Sequence, residues 1–419
     1  MDNHKFSEVF DPMQHSTEIL IIGGGLNGLA LSTALGSAGL DIILIDDHVF
    51  KPNTEDTFNG RAYALALASQ SLLKALDLWA IIGPNAQPIL NIKVTDGTLE
   101  KGPSPFLMHF DHREINAEAL GYMIEDNTLR NAFYNQINRS SNIKIISNEV
   151  IRHSTHPGKV HIALENCDTI KASVILACDG KLSSTAKRAG ISRRVKEYNQ
   201  SAIVTTVTHE QPHMGIAHQY FMPSGPLAIL PLQHNRSSIV WALPSEEASK
   251  LSTLDDKNFS KELRLVFGDF LGCFNICSKR FTYPLNMTVV DNFTADRLAL
   301  IGDAAHGIHP IAGQGLNLGL RDVASIAEIL VDAYRRGEDL GAPYVLERYE
   351  QWRLFDSTLL STSTDLFNSL FSNNNSYLRL ARGLGMGIIN NSPFLKRGFI
   401  KEAAGLNGDL PRLLKGQPL

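Results

Sequence analysis

The residues Glu18-Ile-Leu-Ile-Ile-Gly-Gly-Gly-Leu-Asn-Gly28 decide the fold of this chain. Their apolar beginning is typical of a buried parallel strand, and it runs directly into a glycine-rich turn. The stretch from Leu26 to Ala38 then predicts a helix, and Gly39 predicts its end. A second apolar run, Asp41 to Ile45, predicts a strand that ends at Asp46. The sequence therefore predicts a strand–helix–strand unit with a glycine turn before the helix.

The glycine turn has the spacing of a dinucleotide-binding fingerprint. Gly23 would permit the tight turn, Gly25 would let backbone amides approach a pyrophosphate, and Gly28 would let the helix pack closely on the strand. The helix N-terminus adds unsatisfied N–H donors and a partial positive charge. Asp46 lies eighteen residues after Gly28 and can accept hydrogen bonds from an adenosine ribose. These residues predict an adenine dinucleotide, and they do not separate FAD from NAD.

Two later apolar runs also end in acidic turns. The run from Val174 to Ala177 is followed by Asp179-Gly180, and the run from Arg297 to Ile301 is followed by Gly302-Asp303. Each pattern predicts a buried strand whose end carries a carboxylate. Asp303 stands where a carboxylate could hold a polyol.

A glycine-containing loop precedes the longest predicted helix. The loop runs from His309 to Asn317, and apolar residues then recur at helical spacing from Leu320 to Tyr334. Gly313 and Gly315 would leave room for a flat ring system against the backbone. The positive end of the following helix would stabilise negative charge on the pyrimidine side of a reduced flavin.

The composition is that of an ordinary globular protein. The 419 residues are 43% hydrophobic and 20% charged, which argues against a disordered or coiled-coil chain. Lys and Arg number 39 against 43 Asp and Glu, and no block of like charge is long enough for a nucleic-acid-binding tail. Four cysteines predict free thiols rather than a disulfide framework, and no His or Cys set has the spacing of a metal site. We therefore expect neither a nucleic-acid partner nor a metal.

One stretch has the length of a membrane span. The 22 residues from Ile19 to Leu40 are uncharged, but six of them are glycines, so a strand, a turn and a buried helix explain them better. Residues 1–17 do not combine a positive segment with a following apolar one, so no secretory signal is predicted. We expect a cytoplasmic protein.

The nucleotide-binding motifs resemble those of a known class. The Gly23/Gly25/Gly28 turn, Asp179-Gly180 and Gly302-Asp303 resemble, in order and separation, the three fingerprints of class A FAD-dependent aromatic hydroxylases, the para-hydroxybenzoate hydroxylase type. Within that class, the chain is similar to the ubiquinone-biosynthesis hydroxylases from about residue 18 to 416. The stretches that carry this similarity are His309–Asp322, Pro223–Leu232, Val240-Trp241, Arg280, Tyr283-Pro284-Leu285 and Gly121–Glu125.

The resemblance implies an α/β fold with a Rossmann-like FAD-binding domain, an inserted mixed and antiparallel β-sheet substrate domain, and a C-terminal helical segment. Alternating apolar and polar residues between about 200 and 285 independently favour antiparallel strands. We expect the FAD-binding domain to comprise residues 1–80, 107–190 and 286–345, the substrate domain 81–106 and 191–285, and the helical region 346–419.

The resemblance also implies roles for individual residues. The glycine turn would bind the pyrophosphate, Asp46 the ribose, and Arg61 the phosphate or ribityl region. Val150 would contact the adenine through its backbone, and Asp303 the ribityl chain. The full set of expected cofactor-binding residues is Gly23, Gly25, Leu26, Asn27, Gly28, Asp46, Arg61, Val150, Asp179, Gly180, Asp303, Gly313, Gln314, Gly315, Leu316 and Asn317. Expected substrate contacts are Pro226, Leu227, His309 and Pro310.

Three points of the site stay open at this stage. A pocket wall and core packing are both compatible with the apolar residues near Leu227. His306 and His309 could carry protons or position the flavin loop, so no catalytic base is named. The family pattern Asp-Gly-x-x-Ser-x-x-Arg is interrupted, because Ala186 holds the arginine position, and Lys187 or Arg188 would have to substitute.

The resemblance implies an FAD-dependent monooxygenase that uses NADPH or NADH as a transient reductant. It would hydroxylate the ring of a polyprenylated phenol with O₂, through a flavin C4a-hydroperoxide, in ubiquinone biosynthesis. The alternatives are hydroxylation of another small aromatic substrate and a non-catalytic, FAD-stabilised subunit of a biosynthetic complex.

The C-terminal end differs from the rest of the chain in charge. Residues 376–419 contain seven cations and two anions, which gives +5 and leaves −9 for residues 1–375. Apolar residues such as Phe394 and Phe399 lie beside these cations. One interpretation is a peripheral contact with the inner face of the cytoplasmic membrane, or with a ubiquinone-biosynthesis complex. The other is a solvated basic surface.

Overall fold

The computed structural model describes residues 13–48, 60–98, 102–222, 224–307, 314–354 and 392–419, and the side chains of 96–107 are not described. The predicted site residues His309, Pro310 and Gly313 lie outside these ranges. The strands of the described residues are β1 (Gln14–Ser16), β2 (Ile19–Ile22), β3 (Ile42–Asp46), β4 (Ala62–Ala66), β5 (Gln87–Ile89), β6 (Asn91–Thr98), β7 (Gly102–Asp111), β8 (Gly121–Glu125), β9 (Ile143–Ser147), β10 (Val150–His156), β11 (Lys159–Leu164), β12 (Thr169–Ala172), β13 (Val174–Ala177), β14 (Arg193–His209), β15 (Ile216–Phe221), β16 (Leu227–Leu232), β17 (Arg236–Pro244), β18 (Phe274–Ile276), β19 (Phe281–Val290), β20 (Thr294–Ala295), β21 (Leu298–Leu300) and β22 (His306–Gly307).

Helices connect and cover these strands. Short 3₁₀ helices occupy Gly83–Asn85, His112–Ile115, Gly302–Ala304 and Arg412–Lys415. The α-helices in the described ranges are α1 (Leu26–Ser37), α2 (Leu67–Ala75), α3 (Trp79–Ile82), α4 (Asp126–Asn138), α5 (Ser184–Arg188), α6 (Ser245–Ser252), α7 (Asp256–Phe267), α8 (Gly315–Arg335), α9 (343–354) and α10 (Pro393–Ala403).

The nucleotide-binding half is built on a six-stranded sheet in the order β20–β21–β13–β2–β3–β9. Strands β21, β13, β2, β3 and β9 are parallel, and β20 is antiparallel to β21. Every residue of β2 and β13 is buried, as their continuous apolar sequences predict. The carboxyl ends of the parallel strands therefore lie at one edge of the sheet, where the loops that follow them meet.

The second half is a larger sheet in the order β22–β19–β14–β17–β16–β15–β6–β7, with β18 also paired to β14. Its pairs are antiparallel except β15 with β6. One face packs on α7 through a core that contains Ile203, Leu227, Trp241, Phe259 and Leu263. Residues alternate between the two faces of a strand, so Ala202, Ala242 and Leu285, which cluster together, lie on the opposite face.

Two smaller sheets complete the described fold. One has the order β1–β12–β11–β10, and the other has the order β4–β8–β5. The domain boundaries predicted at 106/107 and 285/286 fall inside β7 and β19. Strand β19 continues to Val290 because its ladder with β14 runs on to the Arg193–Val290 pair. None of the described helices combines the length and apolar character needed to cross a bilayer.

Candidate functional site

Four predicted motifs meet at the carboxyl edge of the six-stranded sheet. The glycine turn follows β2, Asp46 ends β3, Asp179-Gly180 follows β13, and Gly302-Asp303 follows β21. In open α/β sheets, ligands bind at this edge, where the connections diverge. The tertiary structure thus brings together motifs that are separated by more than 250 residues in the sequence.

The glycine turn is shaped so that side chains cannot replace its hydrogens. Gly23 has a φ of +104°, and a Cβ there would lie 2.5 Å from the carbonyl oxygen of Cys178. A Cβ at Gly28 would lie 1.9 Å from the carbonyl oxygen of Gly23. At Gly25, by contrast, no described atom lies within 4 Å of that position. The turn therefore packs tightly on its protein side and stays open at Gly25.

The N-terminus of α1 is available to an anion. Gly25 is its N-cap, and no described side chain caps the helix by a hydrogen bond. The first N–H groups of a helix have no partner within the helix, so they can bind a phosphate oxygen. This is the position that the sequence predicts for a pyrophosphate.

Asp46 is held in place by backbone amides. Its Oδ2 accepts a hydrogen bond from the Gly24 amide, and its Oδ1 accepts one from the His48 amide at 2.7 Å. The Asn148 amide donates to the carbonyl oxygen of Asp46 at 3.1 Å, which places Val150, the first residue of β10, near this corner. The carboxylate keeps lone pairs that ribose hydroxyls could use.

Two buried side-chain oxygens at this edge have no hydrogen-bond partner in the described part of the chain. Asp179 Oδ2 accepts from the Thr185 amide at 3.0 Å, but Asp179 Oδ1 has no hydrogen bond with any described residue. Asn27 Oδ1 is likewise unpartnered among the described residues, and its amide group lies between Gly302 and Gly319. Buried acceptors are rarely left unsatisfied, so both fit a bound ligand with donor groups.

Arg188 lies near the interrupted Asp-Gly motif. Ala186 is fully buried, and Ser183 caps α5 by accepting from its amide at 2.9 Å. Arg188 donates to Thr185 Oγ1 at 3.1 Å. Burial lowers the pKa of Arg188, and the negative charge of Asp179 opposes that change. An arginine charge is therefore present near Asp179, although position 186 could not hold its side chain.

A buried ionic cluster supports the Gly302-Asp303 turn. Asp322 Oδ2 accepts from the Gly302 amide at 2.9 Å and from His306 Nε2 at 2.6 Å, while Asp322 Oδ1 accepts from Arg353 Nε at 2.6 Å. Asp322 and Arg353 are fully buried, and His306 is 2% exposed. Burial alone would raise the pKa of Asp322, but the charges and hydrogen bonds of His306 and Arg353 hold it below its ordinary value. The ionised carboxylate thus positions the turn.

This cluster also decides between the two roles considered for His306. Its Nε2 donates to Asp322, and the ring is almost inaccessible to solvent. These contacts favour a positioning role over proton transfer. In the sequence, the cluster is signalled only by Asp322 among the apolar residues of the first half of α8, and Arg353 gives no signal.

Asp303 lies on the short 3₁₀ helix that follows β21. Burial raises the pKa of its carboxyl group, and Lys181 and His306 oppose the change. In the protein without ligand, the folded state therefore disfavours the ionised carboxylate, which is the form that best accepts hydrogen bonds from hydroxyl groups.

We expect Asp303→Asn to stabilise the ligand-free protein at pH 7 and to lower its affinity for a polyol-containing ligand by about tenfold. Because the folded-state pKa of Asp303 is raised, its carboxyl group destabilises the parent protein as pH rises above the unfolded-state pKa of about 4. The stability gained by Asp303→Asn should therefore vanish below that pH. Thermal unfolding between pH 4 and 7 and a ligand titration measure both effects. The exposed Asp296→Asn is the control, and destabilisation by Asp303→Asn at pH 7 would contradict the assignment.

The start of α8 is tied to the rest of the site. Asn317 Oδ1 accepts from the Ala66 amide and from Ser69 Oγ, both at 2.8 Å, and its Nδ2 donates to the Ala64 carbonyl oxygen at 2.9 Å. These bonds attach α8 to β4 and α2. At Gly315, no described atom lies within 4 Å of a Cβ position, so the backbone there stays open. These three bonds hold the side chain of Asn317 against β4 and α2, and a flat ring would meet the open backbone at Gly315.

The other predicted residues lie in different parts of the fold. Arg61 Nε donates to the Tyr283 hydroxyl at 2.9 Å and links β4 to β19. Leu26 and Leu316 pack in the main core. Pro226 is buried, and its carbonyl oxygen accepts from the Ala242 amide at 2.9 Å.

The predicted substrate contact at Leu227 is not supported by its position. Leu227 is fully buried and pairs with Trp241 on the face of the sheet that packs against α7. Arg61 lies instead beside Tyr283 of β19, which pairs with Ala202 on the opposite face. The strand alternation that places Trp241 in the core also takes Leu227 there. This position favours core packing over a substrate contact.

Comparisons with known proteins agree with this geometry. Residues 16–355 match the protein family described as FAD binding domain. The chain is 40% identical over 408 residues to ubiquinone hydroxylase UbiL of Rhodospirillum rubrum, and this alignment covers 96% of this chain and 93% of that protein. It is 32% identical to 3-demethoxyubiquinol 3-hydroxylase of Escherichia coli, over 93% of this chain and 99% of that protein.

A solved structure shares the fold. The crystal structure of p-nitrophenol 4-monooxygenase PnpA from Pseudomonas putida aligns with a TM-score of 0.77 at 17% identity, over 94% of this chain and 99% of that one. At this identity the likeness concerns the fold alone. It confirms the predicted α/β class with a nucleotide-binding domain and mixed sheets.

Proposed function

We propose that this chain, which belongs to the FAD-binding family that includes the ubiquinone hydroxylases, hydroxylates the aromatic ring of a polyprenylated phenol in ubiquinone biosynthesis. The resemblance inferred from the motifs is confirmed by these matches. The observation that carries the proposal is the convergence of the glycine turn, Asp46, Asp179 and Asp303 at one sheet edge.

The residues at this edge fit FAD. The open backbone at Gly25 and the uncapped N-terminus of α1 would bind the pyrophosphate. Asp46 and Asp303 would accept hydrogen bonds from the ribose and ribityl hydroxyls, and the unpartnered oxygens of Asn27 and Asp179 would gain donors. When bound, FAD supplies the activation of O₂ and the transfer of one oxygen atom to the ring.

The large sheet offers an apolar surface for the substrate ring. Ala202 and Ala242 are paired, and Ala202 also pairs with Tyr283, so these side chains share the face beside Arg61. Leu285 packs with the two alanines. These three side chains are at most 5% exposed, and a substrate ring held against this apolar cluster would be shielded from water.

A nicotinamide nucleotide is the reductant that we propose, and Arg188 is the residue that supports it. We expect Arg188→Ala to slow reduction of the bound flavin by NADPH or NADH by about tenfold, because a charge-assisted contact near Asp179 would be lost. Stopped-flow absorbance of the flavin measures this rate. The exposed neighbour Lys187→Ala is the matched control, and equal rates in the two variants would exclude a role for Arg188.

The hydroxylation is tested with purified, FAD-containing protein, NADPH or NADH, O₂ and a short-chain polyprenylphenol. The expected product has gained one oxygen atom, as measured by mass spectrometry. Turnover only with a soluble phenol that lacks the prenyl chain would favour the small-aromatic alternative. If the protein neither oxidises the nucleotide nor forms product, the remaining alternative is the non-catalytic, FAD-stabilised subunit.

The membrane enters the proposal through the substrate. A polyprenyl chain is apolar and partitions into the bilayer, and we propose that the protein meets its substrate at the membrane surface. The basic C-terminal region is the part of the chain that we propose for this peripheral contact.

A further inference from the structure

Helix α10 exposes large apolar side chains although it is anchored to the protein. Phe394 is 86% exposed, and Leu395 and Phe399 are each 42% exposed. On the other side of the helix, Ile400 is buried in a core with side chains of β5, β8, β15 and β16. A helix with one buried side and an apolar exposed side has a contact surface, and no described residue occupies it here.

Polar contacts fix the orientation of α10. Lys396 Nζ forms an ion pair with Glu114 Oε1 at 2.8 Å, on the 3₁₀ helix His112–Ile115. The carbonyl oxygen of Ala404, just after α10, accepts from the Ala68 amide of α2 at 3.1 Å. With Ile400 buried as well, α10 cannot turn its apolar side inward without breaking these contacts.

A basic cleft lies directly beside the apolar side chains. Its volume is about 250 Å³. Arg397 and Lys401 are exposed and form no ion pair with a described residue. Arg113 pairs with Asp111 and remains largely exposed, and Glu402, the acidic residue of α10, accepts from Asn407 Nδ2 at 2.9 Å. The cleft is lined by Arg113, Glu114, Ile115, Asn116, Arg397 and Lys401.

We propose that this surface docks on a bilayer that contains anionic phospholipid. The cleft takes lipid phosphate groups on Arg397, Lys401 and Arg113, and the side chains of Phe394, Leu395 and Phe399 enter the boundary between headgroups and acyl chains. Arg397 and Lys401 lie three and seven residues after Phe394, so the two cations share one side of α10 with that exposed phenylalanine, as in an interfacial helix. This inference rests on the proposed function in one respect: membrane docking would give the enzyme access to a polyprenyl substrate.

The charge of the whole chain favours the same orientation. Residues 376–419 carry +5 and residues 1–375 carry −9. An anionic surface would therefore repel the body of the protein and attract its C-terminal end. A soluble partner protein would have to match the cations with acidic groups and the three large apolar side chains with an apolar patch in one fixed arrangement. The bilayer satisfies both.

Docking through α10 would bring the membrane close to the cofactor site. Gln314 Nε2, at the start of α8, donates to the carbonyl oxygen of Ala403 at 3.4 Å, so the two helices touch. The buried side of α10 also packs on strands of the large sheet. A prenyl chain could thus remain in the bilayer while its ring reaches the sheet.

Vesicle co-sedimentation of the FAD-containing protein tests the docking surface. We expect binding to phosphatidylcholine vesicles that contain phosphatidylglycerol and little binding to pure phosphatidylcholine. The double variant Arg397→Glu/Lys401→Glu should lower the partition coefficient by about tenfold or more, because each cation near an anionic surface contributes to binding. Phe394→Ser should lower it by about tenfold through lost apolar burial.

Helix α7 provides matched controls. Lys257→Glu/Lys261→Glu reverses two exposed cations at the same spacing, and Leu265→Ser removes an apolar side chain that is 71% exposed. These variants should bind vesicles like the parent protein. The proposal is overturned if the parent protein does not bind anionic vesicles, or if the α10 variants bind them as well as the parent does. It is also overturned if the α7 control variants lose as much binding as the α10 variants.

A second assay separates this inference from the proposed function. The α10 variants should hydroxylate a detergent-solubilised short-chain substrate at the parental rate and lose activity only with substrate embedded in anionic vesicles. If no variant and no parent hydroxylates either substrate, the proposed function fails, while the sedimentation result still decides the docking surface.

Discussion

Asp322→Ala is expected to destabilise the protein by about 3–5 kcal/mol, because it removes the carboxylate from the fully buried ion pair with Arg353. The variant would also release the Gly302 amide and His306 Nε2 from their shared acceptor. Loss of the turn should weaken FAD binding as well. Denaturant unfolding and the flavin content of the purified protein measure the two effects.

A partly exposed ion pair on the same helix provides the control. Asp332 pairs with Arg412 at 2.6 Å near the surface, so Asp332→Ala should cost no more than about 1 kcal/mol. Equal destabilisation by the two variants would contradict the special role of the buried cluster.

The pH dependence of this cluster has a definite sign. The pKa of Asp322 is lowered in the folded protein, so its contribution is present above the unfolded-state pKa of about 4 and is lost as pH falls through the folded-state pKa. The difference in unfolding free energy between the parent and Asp322→Asn should therefore be full at pH 7 and shrink in acid. A difference that grows on acidification would exclude an ionised Asp322.

Gly25→Val is expected to abolish FAD retention, with a loss of affinity of about 100-fold or more, while the ligand-free protein keeps its stability. The backbone at Gly25 has a φ of −68°, which any residue can adopt, and its Cβ position is open among the described residues. The added side chain would therefore occupy only the space in which a pyrophosphate would approach the backbone.

Two glycines of the same segment sharpen this test. Gly36→Ala, near the end of α1, meets only the flexible end of the Ile143 side chain and should leave FAD binding intact. Gly28→Ala should destabilise even the ligand-free protein, because its Cβ would overlap the Gly23 carbonyl group. If Gly25→Val retained FAD, the pyrophosphate would have to bind elsewhere.

The cofactor half of the site was largely predictable because its signals are local. The turn from Gly23 to Gly28, the end of β3 at Asp46, and the acidic turns after β13 and β21 are each written in a few consecutive residues. In a parallel sheet, such strand ends must share one edge, so their convergence followed from the pattern. The predicted bounds of α1 and β3 agree with the structure within about one residue.

The substrate half was harder to predict. Leu227 and Leu230 lie three positions apart in β16 and so face opposite sides of the sheet, and composition could not say which of them faces α7. A shift of one residue exchanges the two faces of a strand, and the register with β17 settles the choice. The roles of Asn317 and Arg353 were equally hidden, because their partners lie far away in the chain.

Short-range pattern alone determines that this chain contains a dinucleotide-binding unit, since glycine geometry and strand periodicity act within a few residues. Tertiary packing decides which charges become structural and which side chains stay at the surface. Asp322 is held ionised by groups brought from two other segments, and α10 keeps Phe394 outside because Ile400 and Lys396 are held on its other side. Burial and charge pairing depend on neighbours that only the folded chain supplies.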